Sequence, residues 1–79
     1  MQDYFYVLKK NSGEYWRQSS GGAWYEEDYI LDASKYCTLD FALQGANNIA
    51  SRRDRPKIIL VHIDIEEKEY KNEDIYVYI

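Results

Sequence analysis

Side chains suited to nucleophilic or acid–base chemistry are few in this chain. Cys37 and His62 each occur once. A nucleophile–base pair would need the two side by side, and a metal site would need them joined by carboxylates at ligand spacing. No CxxC or HExxH pair and no GxSxG elbow is written anywhere in the sequence. His62 therefore reads as a strand histidine and Cys37 as a small buried apolar group. Ser20-Gly21-Gly22 is too short to cradle a phosphate, and no glycine-rich turn leads into the helix derived below. Glu26, Glu27 and Asp28 form one acidic group; Asp64, Glu66, Glu67, Glu69, Glu73 and Asp74 form another. Neither alternates oxygen ligands around a glycine as a calcium loop does. Both read as solvated edges that discourage sheet-to-sheet aggregation. The expectation is a protein without catalytic residues, cofactor or metal.

The one dense basic run is SRRDRPK, Ser51 to Lys57, in which Arg52, Arg53, Arg55 and Lys57 surround Asp54. Two readings compete. Cations in the last turn of a helix meet the negative end of its dipole, at about 0.3–1 kcal/mol each, and proline commonly follows. Alternatively the arginines form a patch for phosphates or for a partner's carboxylates. The chain as a whole carries ten basic and fourteen acidic side chains, a net charge of −4. Such a chain repels nucleic acid at long range, whereas a nucleic-acid module presents a basic stripe. An acidic protein surface suits the patch at least as well as DNA or RNA.

Something must position these groups, and at 79 residues the chain is read as one domain, 1–79. A domain this small buries only about 60–65% of its unfolded surface, so each large apolar group counts. One cysteine rules out an intramolecular disulfide, which points to a reducing compartment and a cytoplasmic location. The start, MQDYFYVLKK, places Asp3 where a secretory leader needs a basic residue, and the run IILV is too short to span a bilayer.

Residues 4–9, YFYVLK, form a strand with both faces apolar, hence an interior one: Tyr4, Tyr6 and Leu8 against Phe5 and Val7. A turn through Gly13 leads to a returning strand over 14–20, with Tyr15 and Arg17 on one side and Trp16 and Gln18 on the other. After Gly21-Gly22, Ala23–Tyr25 reads as a short third strand, broken off by the acidic group. Residues 31–37, LDASKYC, read as a connector or single helical turn. Thr38 is a natural N-cap for a helix whose stripe is Leu39, Ala42, Leu43, Ala46, Ile49, Ala50 and Arg53, ended by Pro56. Gly45 within it predicts close approach to a strand or aromatic ring. Residues 57–66 form a strong strand, with Ile59, Val61, Ile63 and Ile65 as an unbroken apolar face for the helix. Residues 75–79, IYVYI, form a last strand. The order β-β-(β)-α-β-β gives an α+β two-layer sandwich, one antiparallel sheet of four or five strands under one helix.

The aromatic content then becomes informative. Nine Tyr, two Trp and two Phe exceed what a single helix can cover. Tyr15, Trp16, Trp24 and Tyr25 flank the double glycine, and Trp, Tyr and Arg most often dominate binding at interfaces. These four, with Arg52, Arg53 and Arg55, are the candidate partner-binding residues. A protein partner is the leading expectation. The alternatives are a homodimer or self-assembling protein, pairing through Tyr76 and Tyr78, and a nucleic-acid-binding accessory protein using the arginines. The Trp-bearing hairpin YFYVLKKNSGEYW, the step DASKY, the Thr-led helix TLDFALQGAN and the strand IILVHIDIEE together resemble small uncharacterised proteins encoded by phages and prophages of Gram-positive bacteria. That resemblance implies an accessory intracellular protein acting on a host protein, and it carries over no functional residue.

Overall fold

The computed structural model describes residues 3–63. The strand expected over 75–79 and the acidic stretch from Asp64 lie outside the described residues. Four strands, β1 (Tyr4–Lys9), β2 (Tyr15–Gln18), β3 (Trp24–Glu27) and β4 (Lys57–His62), form one antiparallel sheet in the order β3-β2-β1-β4. One helix, α1 (Leu39–Ala50), packs on a single face. The α+β two-layer arrangement follows from the sequence pattern, and β1 is interior because both of its faces are apolar. No helix among the described residues is long and apolar enough to cross a membrane.

Gly13 takes a φ of 109° in the β1–β2 turn, where its amide donates to the Lys10 carbonyl at 3.0 Å. The hairpin pairs Lys9 with Tyr15 and then splays. Residues 34–36 bridge the gap. The Ser34 amide donates to the Trp16 carbonyl at 3.1 Å, and Tyr36 exchanges two backbone hydrogen bonds with Tyr6, each 2.9 Å. The connector thus takes up backbone groups that the diverging strands leave unpaired. It also contains a short 3-10 turn, Ile30–Asp32.

Three expectations need correction. The third strand runs through Glu26 and Glu27 rather than stopping at Tyr25. Its acids are not a break, because Glu26 pairs with Lys10 and Glu27 with Arg17 at 2.8 Å, so charge is matched across the ladder. The helix stops at Ala50, capped by Ser51, with no basic residue in its last turn. The Arg52 and Arg53 amides instead fold back onto the Ile49 carbonyl, at 3.0 and 2.8 Å. Pro56 requires an extended Arg55, and the chain must reverse into β4, so the arginines sit in the reversal and not on the helix. Third, the helix covers the opposite face of β4 from the one expected. Its core partners are Leu8, Trp16 and Ile58, while Ile59 and Val61 pair with Val7 and Phe5 on the far side. Apolar area summed across the sheet decides this. The two tryptophans and Leu8 outweigh one strand's isoleucines.

Thr38 caps the helix as expected, its Oγ1 accepting from the Phe41 amide at 3.2 Å. Ala42, Ala46 and Ile49 are its buried residues, small enough to bring the helix close to the sheet. Gly45 completes that approach. A Cβ built there would lie 2.8 Å from the Tyr36 hydroxyl oxygen and 3.1 Å from Leu8 Cδ1. Gly45→Ala is therefore expected to lower stability by about 1 kcal/mol, since overpacking of about 1–3 kcal/mol exceeds the helix-propensity gain of about 1. Tyr36→Phe in the same background should recover part of the loss by removing the nearest atom. Denaturant unfolding of the two single variants and the double would read this, and a more stable Gly45→Ala protein would contradict the close approach.

Candidate functional site

The candidate residues fall on two opposite sides of the sheet. Each pair across the β2–β3 hairpin is equidistant from Gly21: Gln18 with Trp24, Arg17 with Tyr25, Trp16 with Glu26, Tyr15 with Glu27. Directly opposed residues share a face, so Tyr15, Arg17, Tyr25 and Glu27 lie on one side, and Trp16, Gln18, Trp24 and Glu26 on the other.

The first side is the one α1 does not cover, although Val7 on it is fully buried. The Arg17 guanidinium carbon lies 4.7 Å from the Tyr25 ring centroid, and its Nε donates to Glu27 Oε1 at 2.8 Å. Lys9 Nζ sits 5.3 Å from the Tyr15 ring centroid. Tyr25 is 47% exposed; Tyr15 and Arg17 are half-buried. The loop after β3 carries exposed Tyr29 and Leu31. Cations alternating with phenol rings hold one another in place here. Each contact contributes about 0.5–1 kcal/mol at such exposure.

The second side is the helix layer, where the expectation for Trp16 fails. Only 3% of Trp16 is exposed, and it belongs to the core with Leu8, Ala42, Ala46 and Ile49. It cannot be an exposed anchor for a partner, because strand alternation turns it under the helix while its neighbour Tyr15 faces out. Trp24 is half-buried, meets Trp16 edge-on at 6.3 Å between centroids, and donates from Nε1 to Asn48 Oδ1 at 3.3 Å. The Trp16 Nε1 is itself buried with no hydrogen-bond partner among the described residues. Arg53 lies over Trp16, its guanidinium carbon 5.4 Å from the ring centroid, and Arg55 donates to Asn47 Oδ1 at 2.7 Å. Arg52 is exposed beside them. A cleft of about 380 Å3 opens at this end, lined by Lys10, Trp16, Glu26, Arg53, Asp54 and Arg55 among others.

Cys37 is exposed rather than buried, because the connector that carries it runs along the rim of a second cavity with Trp24, Tyr36 and Gly45. Burial raises the Tyr36 phenol above its ordinary value, partly opposed by a hydrogen bond with Ser34. His62 is exposed at the end of β4, on the polar-turning face expected for it. Among the described residues no three His, Cys, Asp or Glu side chains gather where they could hold a metal.

Sequence reasoning missed Arg17, Glu27 and Lys10. For the first two a signal was present. Folding the chain about Gly21 sets Arg17 opposite Tyr25 and one step from Glu27. Lys10 had none, since its approach to Trp16 and Glu26 depends on the splay of the hairpin. Comparison with protein-family models, with curated proteins and with solved structures gives no match to this chain.

Proposed function

We propose that the chain is a non-catalytic binding protein that docks a protein partner on the helix-free face of its sheet, with Tyr15, Arg17 and Tyr25 at the centre. The stacked cross-strand pair Arg17–Tyr25, on a face that α1 does not cover, is the observation that carries this reading. Tyr and Arg are the residue types most often found at binding hot spots. Their rotamers are already restrained by mutual stacking and by Glu27, so less side-chain entropy is lost when a partner arrives. Trp16 supports the site from behind rather than touching the partner. Arg52, Arg53 and Arg55 lie on the other side of the sheet and are not its rim. A modulator of a host protein, as the phage resemblance implies, is one concrete form.

The Tyr15→Ala/Tyr25→Ala double variant is expected to weaken partner capture at least tenfold, the order set by losing one hot spot of about 2 kcal/mol. Affinity capture from a Gram-positive bacterial lysate, followed by titration of the captured protein, would measure it. Circular dichroism would verify that the fold survives, as expected from the near-half exposure of Tyr25. Undiminished capture by the folded double variant would refute the reading.

A further inference from the structure

The cleft on the helix side is a separate matter from the open face, and its electrostatics are specific enough to suggest an occupant. Among the described residues three cations line it: Lys10 from the β1–β2 turn, and Arg53 and Arg55 from the reversal after α1. Two are already engaged. Lys10 is ion-paired with Glu26, and Arg55 donates one N–H to Asn47. Arg53 differs. Its guanidinium is held over the Trp16 ring, yet among the described residues it makes no ion pair and no side-chain hydrogen bond. Stacking fixes the plane of a guanidinium while leaving the N–H donors along its edge unused, and that edge matches the two oxygens of a carboxylate.

The charge count selects among anions. Among the described lining residues Lys10, Arg53 and Arg55 stand with the carboxylates Glu26 and Asp54, so their surplus is one positive charge. A single carboxylate neutralises it, whereas a phosphate dianion would leave net negative charge beside two acids. A polyanion is disfavoured further by the net charge of −4 on the chain. A volume of about 380 Å3 lies at the small end of ligand pockets, the scale of one side chain with its backbone. We propose that this cleft receives a single glutamate or aspartate side chain of a protein partner, gripped by Arg53 on its Trp16 platform and by the remaining donors of Arg55.

The proposal goes beyond the open-face reading and stands or falls apart from it, since Tyr15 and Tyr25 are not in the cleft. A 15N-labelled sample titrated with a blocked peptide carrying one glutamate between apolar residues would test it. The expected result is saturable movement of the Trp16 indole and Arg53 side-chain N–H signals, and none with the glutamine counterpart. Arg53→Gln should weaken the glutamate peptide roughly tenfold or more, as expected when a charge-assisted hydrogen bond is lost. Arg53→Lys, which keeps the charge without the fork, should recover only part of that affinity. Arg52→Gln and the Tyr15→Ala/Tyr25→Ala variant should bind like the parent chain. Equal response to the glutamine peptide would overturn the proposal, as would tighter binding of inorganic phosphate than of the glutamate peptide.

Discussion

Trp16→Ala is expected to lower the stability of the fold by about 3–5 kcal/mol, the range for truncating a large buried aromatic. Trp16 is packed against Leu8 and the small helix residues Ala42 and Ala46, so removing it empties the centre of the two-layer contact. Nothing nearby can collapse into the space, since the helix already stands as close as Gly45 permits. A chain of 79 residues has a total stability of roughly 4–12 kcal/mol, so the loss removes from about a quarter to all of it. Trp16→Phe should cost much less, about 2 kcal/mol or under, because it retains most of the ring. It also deletes an indole N–H that is buried without a partner among the described residues, a group whose burial costs about 1–3 kcal/mol. Guanidinium unfolding followed by far-UV circular dichroism would compare the three proteins. A Trp16→Ala loss below about 1.5 kcal/mol would mean that the ring is not sealed under the helix.

Two leucines on one face of the sheet give the second large effect as a contrast. Leu8 and Leu60 both point toward the helix layer, by the register that pairs Leu8 with Ile58 and Tyr6 with Leu60. Leu8 is fully buried and Leu60 is 46% exposed. Leu8→Ala should therefore destabilise by about 2–5 kcal/mol. Leu60→Ala should cost under about 1.5 kcal/mol, since far less apolar area leaves water when it folds and no closed cavity forms. The difference reports where the helix lies: it packs on β1, on β4 with Ile58 inside the contact and Leu60 outside it, and on the Trp16 ring reaching in from β2. Equal losses for the two variants would require the helix to cover β4 along its length. Thermal or denaturant midpoints measured under one condition would decide between these.

The first prediction reverses an idea that the sequence encourages, namely that paired tryptophans beside a glycine turn form an exposed binding face. Period-two alternation was readable for Tyr15, Trp16, Arg17 and Gln18 individually. Which of the two faces the helix would choose was not. Surplus ring area was a sound reason to expect aromatics outside the core. The outward ones include Tyr15 and Tyr25, backed by Lys9 and Arg17, while Tyr6 and Tyr36 pack against the core and the tryptophans divide between core and helix contact.

Local chemistry by itself settles much of the architecture. Tyr4–Lys9 is an interior strand because both of its faces are apolar, Thr38 caps the helix because its hydroxyl can reach the Phe41 amide, and Gly13 turns because it tolerates positive φ. Those outcomes depend on neighbours a few residues apart. Tertiary structure alone decided the rest: the end of the helix at Ala50, the face it covers, the connector inserted between β1 and β2, and the meeting of Lys10, Arg53 and Trp16. Each of these depends on apolar area and charge summed over segments distant in the chain, and no window of the sequence contains that sum.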